Sequence, residues 1–142
     1  MREILFRGKN IDKDEWIYGD LRHIWDISKE DLKSCIVPTP KDTRNNNVCG
    51  VSVIPETVGQ YTGLTDRNGK GIFEGDIILV DHPYNGESMY EVIWDEYRWN
   101  LKDFYASCFD CPSEAFSEGT EYMQIISNIH DNPDLINKHS DV

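Results

Sequence analysis

The chain has 142 residues, 39% hydrophobic, 28% charged and 11% aromatic. That length buries one core without disulfides or metals, and such an aromatic content excludes a disordered chain. Lys and Arg total 14 against 26 Asp and Glu, a net charge of −12; a surplus of this sign repels phosphate backbones and argues against simple nucleic-acid binding.

Met1-Arg2-Glu3 runs straight into a strand pattern with no apolar signal-peptide core. No apolar run approaches the roughly 20 residues that cross a membrane, so a cytoplasmic protein with free thiols is expected. Ile4 and Phe6 point one way, and Trp16 and Tyr18 repeat the spacing after a polar loop from Arg7 to Glu15. Period-two spacing of β-branched and aromatic residues predicts an antiparallel pair of strands, the second ended by Gly19-Asp20. Ser28, with Glu30, Asp31 and Leu32 after it, predicts one short helical turn capped by the serine hydroxyl. Pro38, Pro40 and Asn45-Asn46-Asn47 mark an exposed loop, a candidate subdomain boundary or flap. Val51, Val53 and Ile54 form a short strand stopped by Pro55.

The densest signal follows. Thr62-Gly63-Leu64 leads to Asp66-Arg67-Asn68-Gly69, where Asn-Gly supplies the positive φ of a tight hairpin turn. Gly75 predicts a sharp bend, Asp76 an acceptor for loop amides, and Ile77 to Val80 a strand buried on both faces. Asp66, Asn68, Gly69, Gly75 and Asp76 are thus structural turn residues. After a loop at residues 83–86, Tyr90, Val92 and Trp94 alternate, as do Tyr97, Trp99 and Leu101, with Asp95-Glu96 spaced as a two-residue hairpin. Trp94, Tyr97 and Trp99 form a candidate interaction surface. Met123, Ile125 and Ile129 alternate imperfectly and still predict a strand; Asn132-Pro133 starts a turn, and residues 137–142 form a flexible tail. Short strands with little helical periodicity favour a small barrel or roll.

Several chemistries imitate themselves in this chain and fail on the residues that matter. Asp66, Asn68 and Gly71 occupy calcium-loop positions, but Lys70 and Ile77 stand where oxygen ligands belong. Gly63 to Gly71 echoes a phosphate loop with the wrong spacing, and Gly71 replaces the magnesium-binding hydroxyl. Cys108-x-x-Cys111 has zinc-knuckle spacing, yet Cys35 and Cys49 make no second knuckle, and His23, His82, His130 and His139 show no ligand spacing. Glu74 and Asp76 stand two apart, as solvated charge and turn caps do. No nucleophile elbow, HExxH or dinucleotide fingerprint occurs. The expectation is therefore no catalytic or metal residue and no cofactor.

The string from Pro55 to Ile78, PETVGQYTGLTDRNGKGIFEGDII, resembles the hallmark of the YopX family of phage and prophage proteins. The opening REILFRGK, the stretch EWIYGDL at 15–21 and ISNIHDNPDL at 126–135 resemble that family's other motifs, in the same order. Gly71 and Phe73 are mild departures. The resemblance implies a mainly β protein: a β-rich N-terminal subdomain at 1–55 and an SH3-like barrel or roll at 56–136. It implies a prophage origin in a low-GC Gram-positive host, and it carries no catalytic residues to transfer. The functional expectation is a non-enzymatic accessory protein acting by protein–protein contact, with itself as a homo-oligomer or with a host protein, and not with nucleic acid or a membrane. The rivals are a nucleic-acid-directed role, either direct binding through Arg67, Lys70 and Arg98 or acidic mimicry of DNA, and a small carboxylate-based hydrolase.

Overall fold

The structure, a computed structural model, describes residues 3–38, 50–83, 86–95, 98–103 and 120–134. The chain divides into two compact units, residues 1–61 and 62–142.

In the first unit, β1 (Phe6–Lys9) pairs antiparallel with β2 (Trp16–Asp26), from Phe6↔Gly19 to Lys9↔Trp16. The predicted pair is present, but the loop is shorter than the polar run suggests, because Arg7 to Lys9 are strand residues. Arg7 is buried, with its guanidinium carbon 4.7 Å from the centre of the Trp16 ring; a cation–π contact of this kind helps a charged group tolerate burial. The remaining loop is held by Asn10, whose Oδ1 accepts the Asp12 and Lys13 backbone N–H groups at 2.9 and 3.3 Å.

Gly19-Asp20 does not end β2. The strand runs on to Asp26, turns through residues 27–30 and returns as β3 (Asp31–Pro38), paired from Asp26↔Asp31 to Gly19↔Pro38. The helical turn predicted at Ser28 is instead this hairpin's turn. Asp26 Oδ1 accepts the Ser28 N–H at 3.0 Å and the Ser28 hydroxyl at 2.6 Å, so the serine donates its hydroxyl and caps no helix. An aspartate bonding two residues onward favours a turn over a helix start. Beyond β3 come β4 (Val51–Ser52), a 3-10 turn at Pro55–Thr57 and β5 (Gly59–Thr65). The strands lie in the order β4-β3-β2-β1-β5. Cys35, a free thiol, Ile36 and Val53 are buried as the core of this unit. Most of the predicted 38–50 loop, with Cys49, lies outside the described residues, and Pro38 itself belongs to β3.

In the second unit the end of β5 lies beside β6 (Gly71–Phe73). The second sheet contains β7 (Asp76–His82), β8 (Gly86–Asp95), β9 (Arg98–Asp103) and β10 (Met123–Asn128) in the order β10-β7-β8-β9, antiparallel throughout. Its core is Ile72, Ile78, Val92, Leu101 and Met123, with Val80, Tyr90, Trp99 and Ile125 packed around them. Each such aliphatic side chain contributes about 1.5–3 kcal/mol by leaving water. Burial on both faces holds for Ile77 and Ile78, while Leu79 and Val80 are half-buried. The pairing Asp95↔Arg98 keeps Asp95 in β8, so the strand runs one position beyond its predicted end. A register shift between Ile125 and Ser127 explains the imperfect alternation of β10, since a bulge resets the period. The fold is mainly β, in two antiparallel sheets, and neither closes into a barrel among the described residues.

Candidate functional site

The central turn is a structural device. Asp66 is buried, and its Oδ1 accepts the backbone N–H groups of Asn68 and Lys70, both at 2.9 Å. Its Oδ2 reaches across to the Ile125 N–H at 3.1 Å, while the Arg67 N–H donates to the Met123 carbonyl at 3.0 Å. A loop thus covers the flank of β10 that β7 leaves open, which protects an edge strand from stray pairing. Burial alone would raise the Asp66 pKa, but the three amides from Ile125, Lys70 and Asn68 outweigh it and hold the carboxyl below its ordinary 3.8. Gly69 and Gly75 take φ values of 82° and 90°, the turn and bend their positions require. Asp76 is 2% exposed and accepts the Phe73 N–H at 2.8 Å, which closes the β6–β7 turn.

The aromatic set is partly assembled. Trp94 and Trp99 face each other across β8 and β9, with ring centroids 4.8 Å apart and planes at 73°, an edge-to-face contact. Trp94 is exposed, whereas Trp99 packs on the core; Tyr97 lies outside the described residues. Of the cations nominated for nucleic acid, Arg67 donates to Gln124 Oε1 and Arg98 stands opposite Asp95 in the ladder. Cys108 and Cys111 lie outside the described residues, among which no cluster of three or more metal-ligating side chains forms. No helix among the described residues is long and apolar enough to cross a membrane.

Glu91, half-buried on β8, has its carboxyl raised above the ordinary 4.5, first by burial and further by Glu74, against the pull of Lys102. A raised acid holds its proton more readily folded than unfolded, so ionisation costs stability above the folded pKa and nothing below 4.5. Glu91→Gln therefore raises the urea midpoint at pH 7, and the advantage shrinks as the pH falls toward 4.5. Paired urea titrations at the two pH values measure it.

Sequence reasoning overlooked the β2–β3 hairpin, and it carries the most conspicuous surface. Among the described residues β1 pairs with β2 only over Trp16–Gly19, and β4 pairs with β3 only at Cys35 and Ile36. The distal part, from His23 through the turn to Ser34, is a two-stranded arm. Trp25 and Leu32 stand opposite each other in its ladder, 58% and 59% exposed, and Ile27 in the turn is 83% exposed. An isolated two-stranded ribbon is marginal in water, and three large apolar side chains at its end mark a contact surface. Behind the tip lies an open cavity of about 400 Å³, floored by Ile11, Leu32, Val53 and Pro55. Asp26, Asp31, Lys29 and Lys33 bring two charges of each sign to its lining. The Ser28 hydroxyl above all, with Lys33 and Lys29 adding to it, holds the Asp26 carboxyl below its ordinary 3.8. The available signal was the β-branched and apolar content of Leu32, Ile36 and Val37 following an Asp-x-Ser turn.

The profile of the family described as "YopX protein" matches residues 5–137. The chain is similar to protein EF1440 from Enterococcus faecalis, whose crystal structure superposes with a TM-score of 0.53 at 24% identity, covering 96% of this chain and 99% of that one. At that identity the likeness speaks for the fold alone. No curated protein matches the chain significantly.

Proposed function

The chain belongs to the YopX family, and on that footing we propose that it is a phage or prophage accessory protein that works in the bacterial cytoplasm by protein–protein contact and catalyses no reaction. The observation that carries this reading is the arm: Trp25, Ile27 and Leu32 are more than half exposed on one short ribbon, in a chain otherwise dominated by negative charge. Apolar surface concentrated at the end of a two-stranded ribbon favours a protein partner over a phosphate backbone or a small substrate. We also read the second unit as an SH3-like roll; the antiparallel meander β7-β8-β9, flanked by β10, supports that reading.

Lys29 and Lys33 provide a direct test, since both are exposed on the arm. Amine-reactive cross-linking in host lysate is expected to join them to another polypeptide, and Trp25→Ser with Leu32→Ser is expected to abolish those links. Cross-links that form only through lysines elsewhere, such as Lys102, would overturn the reading.

A further inference from the structure

The arm's charge pattern says more about what covers it. Residues 22–33, the arm with Arg22 at its base, hold three cations, Arg22, Lys29 and Lys33, and three acids, Asp26, Glu30 and Asp31. This segment is electrically neutral, so the whole net charge of −12 lies outside it. Two copies of the chain approaching by their acidic surfaces repel each other; at the arm they do not. The balance is also arranged locally, because the cavity lining carries Asp26 and Asp31 beside Lys29 and Lys33 around an apolar floor. A face with equal numbers of both signs around an apolar centre is complementary to itself, which a two-fold contact requires: whatever one copy presents, the other must accept.

Resting on the protein-contact reading above, we propose that this face binds the same face of a second copy, the two arms meeting about a two-fold axis. The partner's Ile27 then seats against Ile11, Leu32, Val53 and Pro55, and Trp25 covers the join. Ile27 fits that role because it protrudes from the turn at 83% exposure and has no burial of its own to lose. The lysines of each arm meet the acids of the other at the rim. The apolar patch is small, so the dimer is expected to be reversible, with a dissociation constant in the micromolar range.

Sedimentation equilibrium over a concentration series tests this on the full chain. The wild type is expected to pass from monomer to dimer. Ile27→Asp is expected to weaken that association about 30-fold or more, as loss of a central contact does, while Ile27→Leu leaves it intact. The position is an exposed turn, so neither change should disturb the fold, and near-ultraviolet circular dichroism checks that. Lys33→Glu and Asp31→Lys should each dimerise poorly alone, whereas an equimolar mixture should recover association, because the surplus acid of one then meets the surplus cation of the other. A wild type that stays monomeric throughout, or an Ile27→Asp variant that dimerises as the wild type does, would overturn the proposal. If the chain is monomeric and the arm lysines still cross-link to a different polypeptide in lysate, the second copy falls and the protein-contact reading stands.

Discussion

Asp66→Ala is expected to cost about 3–4 kcal/mol of folding stability, read as a fall in the urea midpoint. The carboxylate is buried and accepts three backbone N–H groups, those of Asn68, Lys70 and Ile125. Alanine leaves all three without their acceptor, and a buried donor stripped of its partner costs roughly 1–3 kcal/mol. Water reaches the two turn amides more readily than the Ile125 amide, which keeps the total below the sum of three full penalties. Asp66→Asn retains an oxygen but loses the charge, so it should fall between. Its pH dependence separates the two contributions. Because the folded Asp66 carboxyl lies below 3.8, its ionic contribution is complete above that pH and disappears as the pH falls through the folded value. The gap between wild type and Asp66→Asn is therefore expected to narrow on acidification, and denaturant titrations from neutral pH to pH 3 should show it.

Gly19→Ala is expected to disrupt the β2–β3 ladder at its base and to cost about 3 kcal/mol or more, as forced overpacking does. A Cβ at this position would stand 1.9 Å from the Val37 carbonyl oxygen and 2.7 Å from its carbon. Both atoms are backbone, so no rotamer change relieves the clash; the strands must separate where Gly19 faces Pro38. Since the arm hangs from this point, the variant should lose amide protection along residues 20–26 and 31–37 before it loses protection in β7 and β8. Hydrogen exchange followed by mass spectrometry distinguishes that pattern from uniform destabilisation.

The same glycine shows where the sequence misled. In a run such as Trp-Ile-Tyr-Gly-Asp, glycine reads as a stop; here it is a strand residue made necessary by a neighbouring backbone. That requirement comes from Val37, 18 positions away, and no local pattern reveals it. Ser28 misled for a related reason. Its side chain suits a helix cap, yet Asp26 two positions earlier captured both its N–H and its hydroxyl. Arg7 appeared to be a loop residue because it opens a polar run, and its contact with the Trp16 ring helps it tolerate burial. By contrast the reading of Asp66, Gly69, Gly75 and Asp76 as turn residues rests on chemistry that is local in sequence. What the turn holds was not legible: the bond from Asp66 to Ile125 links β10 to a loop that no spacing rule associates with it. Of the aromatic surface, the alternation placed Trp94 and Trp99 on facing strands, but a turn set at Asp95-Glu96 would put Trp94 opposite Tyr97. The pairing with Trp99 follows from the one-residue extension of β8. The arm was hidden by the two misread residues at either end of its first strand.

The enclosure of β10 has a bearing on how the chain is made. Asp66 and Ile125 are 59 positions apart, and β10 lies between β7 and the turn that Asp66 holds. A ribosome releases β7 and the turn well before the strand that joins them. Through that interval the Asp66 carboxylate lacks the amide of Ile125, and one side of β7 is an open template in a nascent chain. Every residue of the apolar run Ile77 to Val80 is already present, yet the sheet lacks its flanking strand. A translation pause or premature stop ahead of Met123 would leave a product prone to pairing with its neighbours on the polysome, so quality control of this protein falls on the synthesis of β10.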